Sequence, residues 1–190
     1  MPRVFALLIF VVLGVIFPAG AVAQTSSTGG AQFSEPVPIV APGSKATLLP
    51  DGTAAAPADA PPAVQQSIWA ANKIVGKPYV YGGGHRAFKS AGYDCSGTVS
   101  YALHGGGLLK SPLDSGSFMS WGEKGPGIWI TVFTNPGHAY AMIAGLRLDT
   151  SAAGVTRKNT KNALAFQSGP RWRPVLRDSR GYRQRHPLGY

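Results

Sequence analysis

One residue in this chain has strongly nucleophilic potential and no duplicate. Cys95 is the only cysteine, in the run Gly92-Tyr93-Asp94-Cys95-Ser96-Gly97. A thiol attacks carbonyls as the thiolate, so its surroundings decide whether it reacts. After Cys95 the apolar residues Val99 and Leu103 fall four apart, which predicts a helix with the cysteine at its N-terminus. There the helix dipole favours the thiolate, and backbone N–H groups can face a developing oxyanion. The small residues Ser96 and Gly97 leave the sulfur accessible. A buried apolar role for Cys95 is the bland alternative.

Cysteine hydrolysis also needs an imidazole within reach and a group that orients it. The chain has 4 histidines. His186 lies in a basic C-terminal region, and His104 falls at the far end of the cysteine helix. His85 sits in a glycine loop and stays open as a candidate. His138 follows the turn residues Asn135-Pro136-Gly137 and opens a strand-like run, a position that can project a side chain from a sheet edge. Cys95 and His138 are therefore expected to meet, the alternative being a surface histidine beside a turn. For the orienting group, a hairpin turning near Gly145 sets residues around Thr150 opposite those around Tyr140 and brings Asp149 near His138. Strand parity decides whether its carboxylate shares the histidine's face, and a one-residue slip reverses the answer. A backbone carbonyl, or the amide of Asn135, is the alternative orienter, and Asp149 could equally be an exposed partner of Arg147.

Several elements must position these groups. Pro61-Pro62 suits a helix start, and Val64, Ile68, Ala71 and Val75 recur at helical spacing until Gly76-Lys77-Pro78. Tyr79-Val80-Tyr81 reads as a short extended piece before Gly82-Gly83-Gly84. That loop lacks the Lys-Ser/Thr ending of a phosphate-binding loop. Gly105-Gly106-Gly107 ends the cysteine helix. Residues 108–127 are irregular, with Phe118 and Trp121 expected to pack inward. Residues 128–133, 138–144 and 146–151 read as three consecutive antiparallel strands. Residues 159–166 suit a short helix.

The chain's 190 residues carry a net charge of +10 and a pI near 10.1, which predicts attraction to anionic surfaces. Met1-Pro2-Arg3, the apolar run over 4–17 and the small-x-small triplet Ala21-Val22-Ala23 predict a secretory signal peptide over residues 1–23. An uncleaved anchor is the alternative. Export makes the unpaired cysteine informative, because secreted chains usually use cysteines in pairs. It also sets nucleic acid aside as an expected partner. With one cysteine there is no internal disulfide and no cysteine-based zinc site; neither a metal nor a cofactor is expected. Residues 24–62 are rich in Ala, Pro, Gly, Ser and Thr and read as a flexible linker. A catalytic domain over 63–170 and a basic tail over 171–190 complete the expected organisation. The tail interleaves Arg171, Arg173, Arg177, Arg180, Arg183 and Arg185 with Trp172, Tyr182 and Tyr190. It could contact polyanions or stack on sugars or bases, or be a solvated surface strand and terminus.

Taken together, Pro78-Tyr79-Val80-Tyr81-Gly82-Gly83, then Asp94-Cys95-Ser96-Gly97, then Gly137-His138 before a strand resemble the NlpC/P60 family of secreted cell-wall peptidases. The resemblance runs from about residue 63 to 151. It implies an α+β fold with a papain-like core, N-terminal helices packed on an antiparallel sheet. It further implies hydrolysis of peptidoglycan stem peptides, commonly between γ-D-glutamate and a diamino acid, with Cys95 as nucleophile and His138 as base. Tyr79, Asp94 and Ser96 match family positions that contact the amine of a terminal L-alanine. Tyr81 stands where the family often has Trp. The third polar residue of the family is commonly a histidine about a dozen positions after the base, where this chain has Asp149. Neither residues 108–127 nor the basic tail is explained by the shared core. The resulting expectation is a secreted, wall-associated monomeric thiol peptidase, with anionic wall polymers as further partners of the tail. The rival readings are a wall-binding module with weak or no catalysis on the same fold, and an amidase or transpeptidase.

Overall fold

The computed structural model describes residues 38–174 and 176–190. The expected signal peptide and the first part of the expected linker lie outside the described residues. Among the described residues, no helix is long and apolar enough to cross a membrane.

The first helix, α1 (Pro62–Ile74), starts behind Pro61 and buries Val64, Ile68, Ala71 and Ile74 along one face. Gly76, with φ of +93°, follows its C-terminal turn, where a left-handed residue costs glycine nothing. The second helix, α2 (Cys95–Gly105), is capped by Asp94, whose carboxylate accepts from Gly97 N–H. It packs along α1 and against a sheet. A single turn, α3 (Ser115–Phe118), tucks Phe118 fully into the core, and Trp121 meets its ring edge-on.

The strands of the second half are β4 (Glu123–Lys124), β5 (Ile130–Asn135), β6 (His138–Ile143), β7 (Leu146–Asp149), β8 (Arg171–Arg173) and β9 (Arg183–His186). They form one antiparallel sheet ordered β4-β9-β5-β6-β7-β8. The fold is thus a mixture of helices and antiparallel sheet. Alternation gives the sheet two unlike faces. Ile130, Val132, Ala139, Ala141, Leu148 and Trp172 join Val64, Ile68, Val99 and Leu103 in the hydrophobic core. The intervening positions Phe133, Tyr140, Arg147, Asp149, Arg171 and Arg173 make the other face aromatic and charged. Its four charged residues are buried nonetheless.

Four readings are corrected. Residues 40–57 do not form a flexible linker. They build a small sheet, β1 (Val40–Ala41), β2 (Thr47–Leu48) and β3 (Ala54–Pro57), ordered β1-β3-β2 with β1 parallel and β2 antiparallel to β3. Composition misled because burial there rests on alanine. Ala54, Ala55 and Ala56 are all but inaccessible, and the Asn72 amide of α1 bonds both the N–H and the C=O of Ala54, at 2.9 and 2.8 Å. Small side chains let the backbone come that close. The ordered domain therefore begins well before residue 63. The basic tail is likewise more than a solvated strand and terminus. β8 forms one edge of the sheet, β9 lies between β4 and β5, and Arg171, Trp172 and Arg173 are buried. Finally, the strand expected over 128–133 runs over Ile130–Asn135, absorbing part of the expected turn, and the short helix over 159–166 contracts to a 3₁₀ turn at Ala163–Phe166.

Candidate active site

Cys95 is the first residue of α2 and is 8% exposed. The approach of α2 to the glycine loop requires Gly97, since a Cβ there would stand 2.0 Å from the Gly83 carbonyl oxygen. Gly84, with φ of +86°, turns the loop under the same helix end, its own added Cβ 2.9 Å from Gly97 Cα. Sequence and geometry thus agree on why the cysteine sits at a helix start tied closely to the loop before it.

His138 opens β6 beside that helix end. Its imidazole is near enough to Cys95 for the cysteine to favour the charged ring, and its Nε2 lies 2.9 Å from Asp149 Oδ1. With Nε2 engaged by the carboxylate, Nδ1 is the ring nitrogen left for the cysteine. Asn135, the other side-chain candidate for orienting the ring, instead accepts from the Gly137 and His138 N–H groups at 3.0 and 2.9 Å, fixing the turn. The parity question is settled by the β6–β7 turn. Ala144 and Gly145 have φ of 48° and 83°, as a two-residue type I′ hairpin demands. Ile143 pairs with Leu146 and Ala141 with Leu148. One step further sets Asp149, not Thr150, across from Tyr140, and so on the face of Tyr140 and His138.

The electrostatics follow from this placement. Burial is the largest single influence on His138 and disfavours its charge. The hydrogen bonds to Asp149 and Cys95 and their negative charges outweigh it, and the imidazole is raised to about 9. Burial also acts upward on Asp149, but the His138 hydrogen bond and charge, the Ser151 N–H at 2.8 Å and the Arg147 charge hold its carboxyl below the usual range. Arg177 Nη1 reaches Asp149 Oδ2 at 3.2 Å, and Arg147 Nε lies 3.7 Å from the same oxygen.

A second carboxylate–imidazole contact flanks the cysteine. His85 Nε2 lies 2.8 Å from Asp94 Oδ2 and 2.9 Å from Ser96 Oγ. The same nitrogen faces both groups, so this is not a serine–histidine–aspartate relay, which needs one ring nitrogen for each partner. Asp94 also accepts from Gly82 N–H at 3.1 Å, Gly97 N–H at 2.8 Å and Ser96 Oγ at 3.2 Å. Each of its oxygens thus has two intramolecular donors. Tyr79 is half-exposed at the rim. Burial first, then the charges of Cys95 and Asp94, raise its phenol, which places it within electrostatic reach of both. His104 is elsewhere, stacked on Phe88 at 3.7 Å, and His186 bonds the Gly125 carbonyl.

Sequence reasoning set Arg147 beside Asp149 only as an exposed pair, and it did not find Tyr140, Arg177 and Tyr182 around the histidine–aspartate pair. Alternation signalled Tyr140, two residues from His138, and Arg147, two from Asp149. No spacing signals Arg177 or Tyr182, which arrive from the C-terminal segment. The Tyr182 ring meets His138 edge-on at 6.3 Å, and the Arg177 guanidinium lies over both Tyr140 and Tyr182. Among the described residues, no cluster of three or more His, Cys, Asp or Glu side chains is placed to hold a metal ion.

No family model matches the chain, and no curated relative matches it. Among solved structures it is similar to the peptidoglycan hydrolase RipB of Mycobacterium tuberculosis, at 22% identity and a TM-score of 0.46, over 67% of this chain and 66% of that one. It is also similar to a mutated form of the Resuscitation Promoting Factor Interacting protein RipA, at 26% identity and a TM-score of 0.46, over 66% and 62%. A hypothetical invasion protein of Mycobacterium tuberculosis gives 24% identity and a TM-score of 0.44, over 66% and 62%. The chain spans less than two thirds of the length of each.

Proposed function

We propose that this protein is a cysteine peptidase of the NlpC/P60 type, with a papain-like core, that cleaves peptidoglycan stem peptides. The observation that carries the reading is the chain of contacts from Cys95 through His138 to Asp149 at the start of a buried helix. In this reading the Cys95 thiolate adds to a peptide carbonyl while His138 stands by as imidazolium. The oxyanion faces the N-terminus of α2. Gly97 N–H is already given to Asp94 Oδ1 and Thr98 N–H to the Asp94 carbonyl, which leaves the N–H groups of Cys95 and Ser96 to meet it. His138 then gives its proton to the departing amine as the C–N bond breaks, leaving a thioester. A water, deprotonated by His138, attacks the thioester, and expulsion of the thiolate releases the acid. Asp149 fixes the tautomer and stabilises the imidazolium throughout. Tyr79 and Ser96 border the approach to the sulfur and are the proposed substrate contacts. Asp94 acts there chiefly through the loop and helix end it ties together. The γ-D-glutamyl–diamino acid bond, an extracellular wall-associated location and a monomeric state complete the proposal.

The test is incubation of the purified protein with isolated peptidoglycan, with new amines and acids located by mass spectrometry. Release by the native protein and none by Cys95→Ala, with an unchanged circular dichroism spectrum, is expected. Full release by the variant would overturn the reading. The burial of Cys95 favours one rival, a wall-binding module without turnover. Alkylation of Cys95 no faster than a free model thiol, together with retained wall binding, would select it.

A further inference from the structure

The catalytic face is completed by a segment the shared core does not supply. Asp149 carries two side-chain partners on separate oxygens, His138 on Oδ1 and Arg177 on Oδ2. Arg177 is itself held. Its guanidinium carbon stands 5.5 Å from the centroid of Tyr140 and 5.3 Å from that of Tyr182, and those rings meet edge-on at 5.2 Å. Tyr140 is buried beside the histidine in β6, and Tyr182 abuts the histidine ring itself. A planar cation lying over two aromatic rings has little freedom left, so the carboxylate it grips has little either.

We infer that Arg177 is a positioning residue for the proposed hydrolysis, clamping Asp149 from the side opposite His138 and sharing its negative charge. The inference rests on the peptidase reading. It has two separable consequences. Geometrically, the clamp fixes the carboxylate plane and through it the imidazole. Electrostatically, a fixed cation on the acid competes with the imidazolium, so it destabilises the charged form of His138 that the reaction must hold and then discharge. Arg147 shares the charge on Asp149, but no other group facing the pair duplicates the hydrogen bond to Oδ2. Cys95 approaches from α2. Arg147 of β7 lies 3.7 Å from Oδ2 and turns Nη2 to the Ala153 carbonyl. Arg173 of β8 donates to the Asp149 and Thr150 backbone oxygens, and Arg171, across from Asp149, bonds Pro170 and Gln167. Tyr140 of β6 is held neutral by burial, its phenol raised to about 12.

Alkylation offers a test independent of substrate, because Cys95 is the sole thiol. Iodoacetamide alkylation rates between pH 4 and 11 report the thiolate–imidazolium pair, and amine release from peptidoglycan reports turnover. For Arg177→Met, the alkaline limb of the alkylation profile is expected to move to higher pH. Turnover is expected to fall about tenfold in kcat with KM little changed, the order of one charged hydrogen bond. Arg177→Lys should return the limb toward its native position, while recovering only part of kcat, because an ammonium keeps the charge without the flat fork. In an Asp149→Asn background the Arg177→Met change should add no further shift. Native limbs in both Arg177 variants, or an undiminished shift in the Asp149→Asn background, would overturn the assignment. If Arg177→Met does not fold, Arg177→Lys and Arg177→Gln carry the same comparison. Absence of amine release by the native protein would defeat the peptidase reading alone, since the alkylation limbs still decide the role of Arg177.

Discussion

Two carboxylate–imidazole contacts of nearly equal length lie on either side of one sulfur, 2.9 Å for His138–Asp149 and 2.8 Å for His85–Asp94. What separates them is how their remaining atoms are committed. His138 gives one nitrogen to Asp149 and keeps the other for Cys95, whose charge acts on the ring. His85 presents a single nitrogen to both Asp94 and Ser96. Asp149 is surrounded mainly by cations, Arg147 and Arg177 besides the histidine. Asp94 has no cation but the His85 ring, and it takes two backbone N–H groups, one of the loop and one of the helix it caps. A short contact is therefore a poor guide to role. The first arrangement can pass a proton and hold a charge, and the second locks a loop to a helix.

Substitution of the histidines should break the comparison most visibly. His138→Ala is expected to lower peptidoglycan turnover by about a thousandfold, within the range for loss of a general base. His85→Ala should leave the alkaline limb of Cys95 alkylation where it is and loosen the loop, seen as faster amide exchange at Gly82 and Gly83. Equal losses of alkylation from both variants would show the two histidines to be alike. Removing the carboxylates comes next. Asp149→Ala strips the counter-charge from buried Arg147 and from Arg177, and a cost of about 3 kcal/mol is expected. Asp94→Ala loses an N-cap and should cost about 1–2 kcal/mol. Urea unfolding of the two variants measures the difference, and an Asp94 cost as large as that of Asp149 would contradict it.

A smaller effect is the pH dependence of stability. The folded pKa of His138, about 9, lies above its unfolded value near 6.5. Protonation thus favours the fold, and this contribution is complete below about pH 6.5 and is lost as pH rises through 9. The Asp149 pKa is depressed, so its contribution holds above the ordinary carboxyl range and is lost on acidification. The stability gap between the native protein and His138→Gln should accordingly be wider at pH 6 than at pH 9.5. A constant gap would mean that the imidazolium is not stabilised by folding.

The sequence carried the local signals well. A lone cysteine before a helical period, a histidine after a turn and a hairpin at Gly145 were all readable, and they identified the groups the structure brings together. What was not readable depended on long-range pairing. Whether Asp149 faced His138 hung on the backbone of two turn residues, and an alanine at positive φ is not what composition suggests. Residues 40–57 looked unable to form a core because they carry few large apolar side chains. They order because alanines admit a close backbone that Asn72 binds from a distant helix. The arginines of the tail looked solvated because charge usually is. Arg173 is buried because its guanidinium reaches backbone carbonyls at Asp149, Thr150, Ala165 and Gln167, and three of those four lie outside its own strand and its partner strand.

The insertion of β9 between β4 and β5 has a consequence in time. Residues 183–186 come long after β5 in the chain, yet among the described residues β9 is the strand that pairs with β5 on that edge. The sheet cannot close, nor can Tyr182 settle against His138, until translation has passed them. A nascent chain that already carries Cys95 and His138 would still lack the strand and the arginine that steady the acid. The groups that flank His138 are thus completed by a part of the chain made after both Cys95 and His138.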